Sequence, residues 1–146
     1  MDCPSLECLP STLSTLESLQ TLHIYGCDRI HRWPSLSSIS GLHYLTNLSD
    51  LEINECGALE CLPEGCHKAT ALHTLRIRKC PSLSVTEDGG FPDITTLDHC
   101  LPESIQTLTI WEFPRLKSLA GALPKLKNLT RLTVQGCPLV DPKSWS

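Results

Sequence analysis

The apolar positions of this chain recur in one long pattern, which is clearest in the segment from Leu48 to Pro63. There the sequence reads L-x-x-L-x-I-x-x-C-x-x-L-x-x-L-P, and most of the x positions are polar. Apolar residues at alternate positions in L-x-I predict a short strand with one buried face. Because the whole pattern returns along the chain, each segment is best interpreted as one copy of a repeat.

Four further copies begin at Leu19, Leu72, Ile105 and Leu129. Three residues after the last apolar position of each predicted strand stands a cysteine or, in one copy, a phenylalanine. Cys3 occupies the same position in a leading copy that has no strand. In chain order these residues, which we call the ladder positions, are Cys3, Cys27, Cys56, Cys80, Phe113 and Cys137. The intervals between them are 24, 29, 24, 33 and 24 residues, in or near the period of leucine-rich repeats.

This repetition predicts an α/β fold, a leucine-rich-repeat solenoid shaped as a horseshoe arc. Each repeat is expected to add one short strand to a parallel concave sheet, and the convex side is expected to be mostly irregular or short-helical. We expect a single domain over residues 1–146, with a partial leading repeat at 1–18 and an insertion at 84–104. Its strand-bearing repeats are expected to start near residues 19, 48, 72, 105 and 129.

Most of the nine cysteines are explained by the repeat. At the ladder positions we expect buried, small apolar side chains whose S–H groups donate weakly to neighbouring backbone carbonyls. Reduced thiols of this kind are typical of the cytosol, and the N-terminal residues lack the basic and apolar regions of a secretory signal. Two glycosylation sequons, at Asn47 and Asn128, fall where the repeat itself places Asn-Leu. We therefore expect a cytoplasmic protein.

Charge and hydropathy exclude two classes of partner. The formal net charge is -4 and the pI is about 5.8, whereas a nucleic-acid groove needs a basic stripe. The sequence also lacks an apolar run long enough to cross a bilayer. We expect neither a nucleic-acid partner nor a membrane partner.

The polar residues of the predicted strands should form two columns on the concave face. One column consists of His23, Glu52, Arg76, Thr109 and Thr133, and the next of Tyr25, Asn54, Arg78, Trp111 and Gln135. Tyr, Trp and Arg are the residue types that most often contribute interface energy. The predicted partner-binding site therefore consists of Tyr25, Glu52, Asn54, Arg76, Arg78 and Trp111.

Two alternatives to partner binding concern single contacts on this face. Glu52 and Arg76 could simply pair in solvent, a contact that contributes under about 1 kcal/mol. Trp111 could fold over Phe113 and serve packing instead of recognition. Either alternative would reduce the predicted site.

Metal binding and catalysis have weaker support. Cys56, Cys61, Cys66 and His67 supply enough ligands for tetrahedral zinc, but they lack the C-x2-C pair of structural sites, and repeat coincidence explains most of their spacing. His99 and Cys100 are adjacent, which rarely aims an imidazole at a thiol, so we interpret Cys100 as an ordinary loop thiol. We expect no metal site, no cofactor and no enzymatic activity.

The form of the repeat, with Cys at the ladder position followed by Pro or Gly, resembles a known family. It is similar to the C-terminal leucine-rich repeats of plant intracellular nucleotide-binding disease-resistance receptors of the coiled-coil class. The segments Cys3-Pro-Ser-Leu, Cys80-Pro-Ser-Leu and Cys137-Pro-Leu-Val carry this resemblance best. It implies a non-catalytic interaction module that recognises pathogen effectors or guarded host proteins and contributes to autoinhibition of the receptor's own nucleotide-binding domain.

Two features depart from such receptors. The chain has no G-x-x-x-x-G-K-[ST] phosphate loop, and its first ladder residue, Cys3, lacks a preceding strand. We therefore expect a fragment or a truncated product that does not bind nucleotide. The alternative function is a generic cytosolic repeat scaffold or the substrate-recognition part of a ligase adaptor, which an accompanying F-box would reveal.

Overall fold

A computed structural model describes residues 5, 7, 15–31, 45–60, 66–83, 101–114, 116, 119, 122–141 and 143. These residues contain five short strands and two one-turn 3-10 helices, Cys66–Lys68 and Leu123–Lys125. The strands are β1 (Thr21–Tyr25), β2 (Asp50–Asn54), β3 (Thr74–Arg78), β4 (Thr107–Trp111) and β5 (Arg131–Gln135). The predicted strand of each complete repeat is confirmed.

All five strands belong to one parallel sheet, in the order β1-β2-β3-β4-β5. Their register places equivalent repeat positions directly opposite one another, so that Leu51 of β2 faces Leu22 of β1 and Leu75 of β3. Because side chains alternate between the two faces, a slip of one residue would expose every Leu and Ile of a strand. The hydrophobic pattern therefore sets the register, and the predicted parallel sheet is confirmed.

The core lies on one side of this sheet and is built from the apolar positions of the repeat. Leu51, Ile53 and Leu75 are completely buried, and each such side chain stabilises the fold by about 1.5 to 3 kcal/mol. In β5, Leu132 and Val134 are only partly buried. β1 is the other edge strand of this sheet, but its Leu22 and Ile24 are buried, so the partial burial is particular to β5.

The residue after each strand adopts a left-handed backbone conformation. These five residues, with φ between 50° and 66°, are Gly26, Glu55, Lys79, Glu112 and Gly136. The N–H groups of the first four donate to the last strand residue of the next repeat at 2.8 to 3.1 Å. The turn thus extends the parallel ladder by one bond while it directs the chain off the sheet. For a non-glycine residue this conformation costs roughly 1 to 2 kcal/mol.

The predicted burial of the ladder positions is confirmed for Cys27, Cys56, Cys80 and Phe113, whereas Cys137 is only half-buried. Each of the four cysteines directs its sulfur to the carbonyl oxygen two residues earlier, at 3.2 to 3.5 Å. The predicted weak S–H donors are therefore confirmed. A hydrogen bond to the Cys56 sulfur, together with burial, raises the pKa of Cys80, so its thiol stays protonated at neutral pH.

The two sequons serve the stacking of repeats. The side-chain amides of Asn47 and Asn128 donate to backbone carbonyls of the preceding repeat at 2.7 and 3.0 Å. The hydroxyls of Ser49 and Thr130 do the same at 3.1 and 3.0 Å. Each sequon therefore supplies two hydrogen bonds between neighbouring repeats, which explains why both occur at the same repeat position.

Several predictions from sequence fall outside the described residues. They are the strandless copy around Cys3, most of the insertion at 84–104, Cys61, and the pair His99 and Cys100. The division of the chain into one domain with a partial leading repeat stays a prediction. Within the part of the chain that the structure describes, no helix has the length and apolar character needed to span a bilayer.

The left-handed turn gives a stability prediction at Gly136. A Cβ built on Gly136 would lie 3.0 Å from Glu112 Cγ and 3.2 Å from Glu112 Cα, and its φ of 66° is costly for any L side chain. We expect Gly136→Ala to lower the free energy of unfolding by about 1 to 2 kcal/mol. Urea denaturation followed by far-ultraviolet circular dichroism measures this change.

Glu112→Gly provides the matched comparison, because it removes a side chain from the equivalent turn of the preceding repeat. We expect it to raise the free energy of unfolding by up to about 1 kcal/mol. Equal midpoints for Gly136→Ala and the unsubstituted chain would contradict the role of the left-handed turn.

Candidate functional site

The outward face of the sheet carries the predicted columns in register. One row across the five strands consists of His23, Glu52, Arg76, Thr109 and Thr133. The next row consists of Tyr25, Asn54, Arg78, Trp111 and Gln135. Neighbouring parallel strands lie about 4.8 Å apart, so side chains in adjacent positions can contact one another.

Glu52, on β2, is the most deeply buried of the predicted site residues. It is only 7% exposed, although its strand position points away from the core. Its carboxylate is covered by two arginines and a histidine: Glu52 Oε1 lies 3.7 Å from Arg78 Nη1, and Oε2 lies 4.0 Å from both Arg76 Nη1 and His23 Nε2. Glu52 and Arg76 therefore do pair, with the Arg76 side chain 34% exposed and the Glu52 side chain 10% exposed, and their role in partner binding stays a prediction.

Tyr25 joins the same carboxylate through its hydroxyl. Burial raises the pKa of Tyr25 above its ordinary value, and the hydrogen bond to Glu52 and the negative charge of Glu52 raise it further. The hydroxyl therefore remains protonated at neutral pH and is available to donate to Glu52. The Tyr25 ring also meets the His23 ring edge to face, with 6.0 Å between the centroids and 86° between the planes.

Trp111 extends the connected surface to β4. The Arg78 guanidinium carbon lies over the Trp111 ring, 5.6 Å from its centre, which is within the range of a cation–π contact. Trp111 is half-buried on the outward row. Arg78 therefore connects the carboxylate of Glu52 on one side to the indole of Trp111 on the other.

We call these connected side chains the Glu52 cluster. Its members are His23, Tyr25, Glu52, Arg76, Arg78 and Trp111. It includes five of the six predicted site residues, and the sixth, Asn54, lies in register between Tyr25 and Arg78. Sequence reasoning placed His23 in the correct column but did not select it, because histidine is not among the residue types that dominate interfaces. The position of His23 directly opposite the Glu52 carboxylate in the same column could have indicated that the two side chains interact.

Metal ligation finds no support among the residues that the structure describes. No three of their His, Cys, Asp and Glu side chains are grouped so that they could hold an ion. The Cys56 and Cys66 positions considered for zinc are both buried in the core, and Cys61 lies outside the described residues. What the Glu52 cluster offers chemically is a surface of guanidinium and aromatic groups.

Comparison with known proteins finds no matching family model but several similar plant proteins. The chain is 30% identical over 144 residues to Disease resistance protein RPP4 of Arabidopsis thaliana, which covers 93% of the chain and 12% of that protein. It is 25% identical over 159 residues to Protein SUPPRESSOR OF npr1-1, CONSTITUTIVE 1 of Arabidopsis thaliana (92% of the chain, 11% of that protein). It is 23% identical over 140 residues to TMV resistance protein N of Nicotiana glutinosa (95% and 11%).

The chain is similar to plant disease-resistance proteins. It spans about a tenth of the length of these three relatives, as the covered shares of 11% and 12% show. The resemblance noted from the cysteine-containing repeat is confirmed at this level. RPP4 and N are of the TIR type, so they do not support the finer assignment to the coiled-coil class.

The charge arrangement around Glu52 gives a stability prediction. In Arg76→Gln/Arg78→Gln the largely buried carboxylate loses two cations, and removing the partners of a buried charge is destabilising. Both arginine side chains are about one-third exposed, at 34% and 33%, so solvent screening reduces the effect. We expect the free energy of unfolding to fall by about 1 to 2 kcal/mol, less than for a fully buried pair. Thermal or urea unfolding measures it.

Adding Glu52→Gln to the double variant should restore most of the loss, because the triple variant no longer buries a charge. Arg131→Gln is the matched control, since Arg131 is exposed on the edge strand β5 and should change stability by less than about 0.5 kcal/mol. A triple variant that is as unstable as the double variant would show that the arginines contribute packing alone.

The hydrogen bond of Tyr25 is tested by titration. The chain has two tyrosines, so Tyr44→Phe leaves Tyr25 as the one phenol that absorbs at alkaline pH. We expect the pKa of Tyr25 to lie above 10.0 and to move part of the way back in Tyr44→Phe/Glu52→Gln. The shift is partial because burial, which raises the pKa most, remains. An unchanged titration after the Glu52 substitution would exclude this hydrogen bond.

Proposed function

We propose that the chain is a non-catalytic protein–protein interaction module, the C-terminal leucine-rich-repeat part of a plant intracellular immune receptor. In this proposal its five repeats form part of a solenoid whose concave sheet meets a partner protein. The partner is a pathogen effector, a guarded host protein or the receptor's own nucleotide-binding domain, and the module contributes to recognition and autoinhibition in the cytoplasm.

The observation that carries the proposal is the connected outward surface across four consecutive strands. Tyr25, Arg76, Arg78 and Trp111 belong to types that dominate interface energetics, and they are held in place by one another and by Glu52. A preorganised face loses little side-chain entropy on association. Similarity to disease-resistance proteins over more than nine-tenths of the chain supports the biological setting.

The proposed origin is tested on the gene. Recovering the coding sequence upstream of Met1 should reveal a nucleotide-binding segment with the G-x-x-x-x-G-K-[ST] phosphate loop. An F-box in that position would instead support the ligase-adaptor alternative. The coiled-coil class rests only on the Cys-Pro form of the repeat and predicts heptads at the start of the gene product; a TIR domain there would contradict that class.

The proposed surface is tested in the complete gene product expressed in leaves. Trp111→Ala removes the indole against Arg78, so we expect a clear change in immune output at equal protein level. Recognition of an external partner predicts a weaker response, whereas contact with the receptor's own nucleotide-binding domain predicts a response without a pathogen. Cell death, measured as ion leakage, reports both.

Gln135→Ala is the control for this experiment, because Gln135 occupies the same row on the next strand and is exposed. It should leave the output unchanged. Identical output from Trp111→Ala and the unsubstituted protein, with both variants folded, would remove the outward face from the proposed function.

A further inference from the structure

We propose that the Glu52 cluster recognises an acidic segment of the partner protein, whose carboxylates are bound by Arg76 and Arg78. This inference rests on the proposed function, because it takes the outward sheet face as the contact surface. It adds the chemical class of the partner segment and the residues that select it.

The negative side chain of this site is buried more deeply than the positive side chains. The Glu52 side chain is only 10% exposed, whereas the side chains of Arg76, Arg78 and His23 are 34%, 33% and 41% exposed. An approaching partner therefore meets the guanidinium groups first and the carboxylate last. Two arginines against one glutamate leave a local excess of one positive charge even when His23 is neutral.

The guanidinium groups also keep hydrogen-bonding capacity. Their distances to the Glu52 oxygens, 3.7 and 4.0 Å, are ionic contacts that exceed hydrogen-bond length. Arg78 Nε is buried and has no hydrogen-bond partner in the described structure. Each guanidinium presents donors in a planar fork that matches a carboxylate, so each arginine can donate two parallel N–H···O bonds to an external carboxylate.

Two aromatic side chains belong to the same cluster and shape the segment that fits. Trp111 contacts Arg78 from β4, and Tyr25 is the aromatic member of the cluster on β1. Large rigid rings give contact area at low entropic cost. The segment that fits best is therefore a short acidic stretch with an apolar residue between its carboxylates.

The wider charge distribution favours a short acidic segment over a polyanion. Arg131 adds a cation in the outward row that starts at Thr21, and the one other acid on the strands' outward side, Asp50, accepts a hydrogen bond from Ser49 Oγ at 2.6 Å. The whole chain nevertheless carries a net charge of -4. A long polyanion such as nucleic acid would be repelled beyond the cluster, whereas a segment that covers only the cluster would be attracted.

The test uses the full chain and two fluorescent peptides. One peptide is rich in glutamate with a central leucine, and the other has glutamine in place of every glutamate. Fluorescence anisotropy should show at least roughly tenfold tighter binding of the glutamate peptide, and the difference should shrink as salt is added. A short RNA oligonucleotide of similar length serves as a competitor and should displace the peptide poorly.

Two substituted chains assign the binding to the arginines. Arg76→Gln/Arg78→Gln should bind the glutamate peptide no better than the glutamine peptide. The triple variant with Glu52→Gln should lose binding equally. Because it buries no uncompensated charge and should regain most of its stability, loss of binding in a triple variant shown to be folded is due to the missing guanidinium groups. Arg131→Gln, outside the cluster, should retain most of the affinity.

The proposal is overturned if the two peptides bind alike, if neither binds, if the triple variant still prefers glutamate, or if RNA displaces the peptide efficiently. These outcomes leave the proposed function intact, since the immune output of Trp111→Ala does not depend on an acidic segment. Conversely, glutamate-specific binding together with normal output from Trp111→Ala would retain the acidic site and reject its role in immune recognition.

Discussion

The parallel register of the five strands is the constraint on which the rest of the molecule depends. Each strand contributes only five residues, and none could bury its Leu and Ile alone. Pairing in phase stacks these side chains into one core and places the alternate residues in straight rows on the other face. The same strand pairing that stabilises the fold therefore also brings the outward side chains together into one surface.

The turn after each of the first four strands stabilises this register by adding a hydrogen bond to the next strand. A left-handed residue continues the hydrogen-bonded ladder by one bond, and the ladder residue that follows is buried below it. Three of the five turns use charged residues despite the conformational cost, and Lys79 bonds to Glu55 of the preceding repeat at 3.0 Å. Charge pairing between neighbouring turns thus offsets part of the strain that glycine avoids at Gly26 and Gly136.

The Glu52 cluster gives this outward surface a patch of positive charge. A glutamate on an outward position would ordinarily be solvated, but two arginines from β3 and the side chains of His23 and Tyr25 from β1 cover it. In return, the carboxylate attracts both arginines, and Trp111 makes a cation–π contact with Arg78. The result is an organised patch of positive charge on a chain that is acidic as a whole.

The sequence alone determined the repeat, the strands and the rows of outward residues, because a period-two apolar pattern copied five times permits one register. It also identified the ladder cysteines and five of the six residues in the cluster. Only the tertiary structure decided that Glu52 is buried, that His23 belongs to the cluster, and that Arg78 lies between Glu52 and Trp111. Burial of an outward side chain depends on how neighbouring strands' side chains lean over it, and the spacing of residues along one chain does not contain that information.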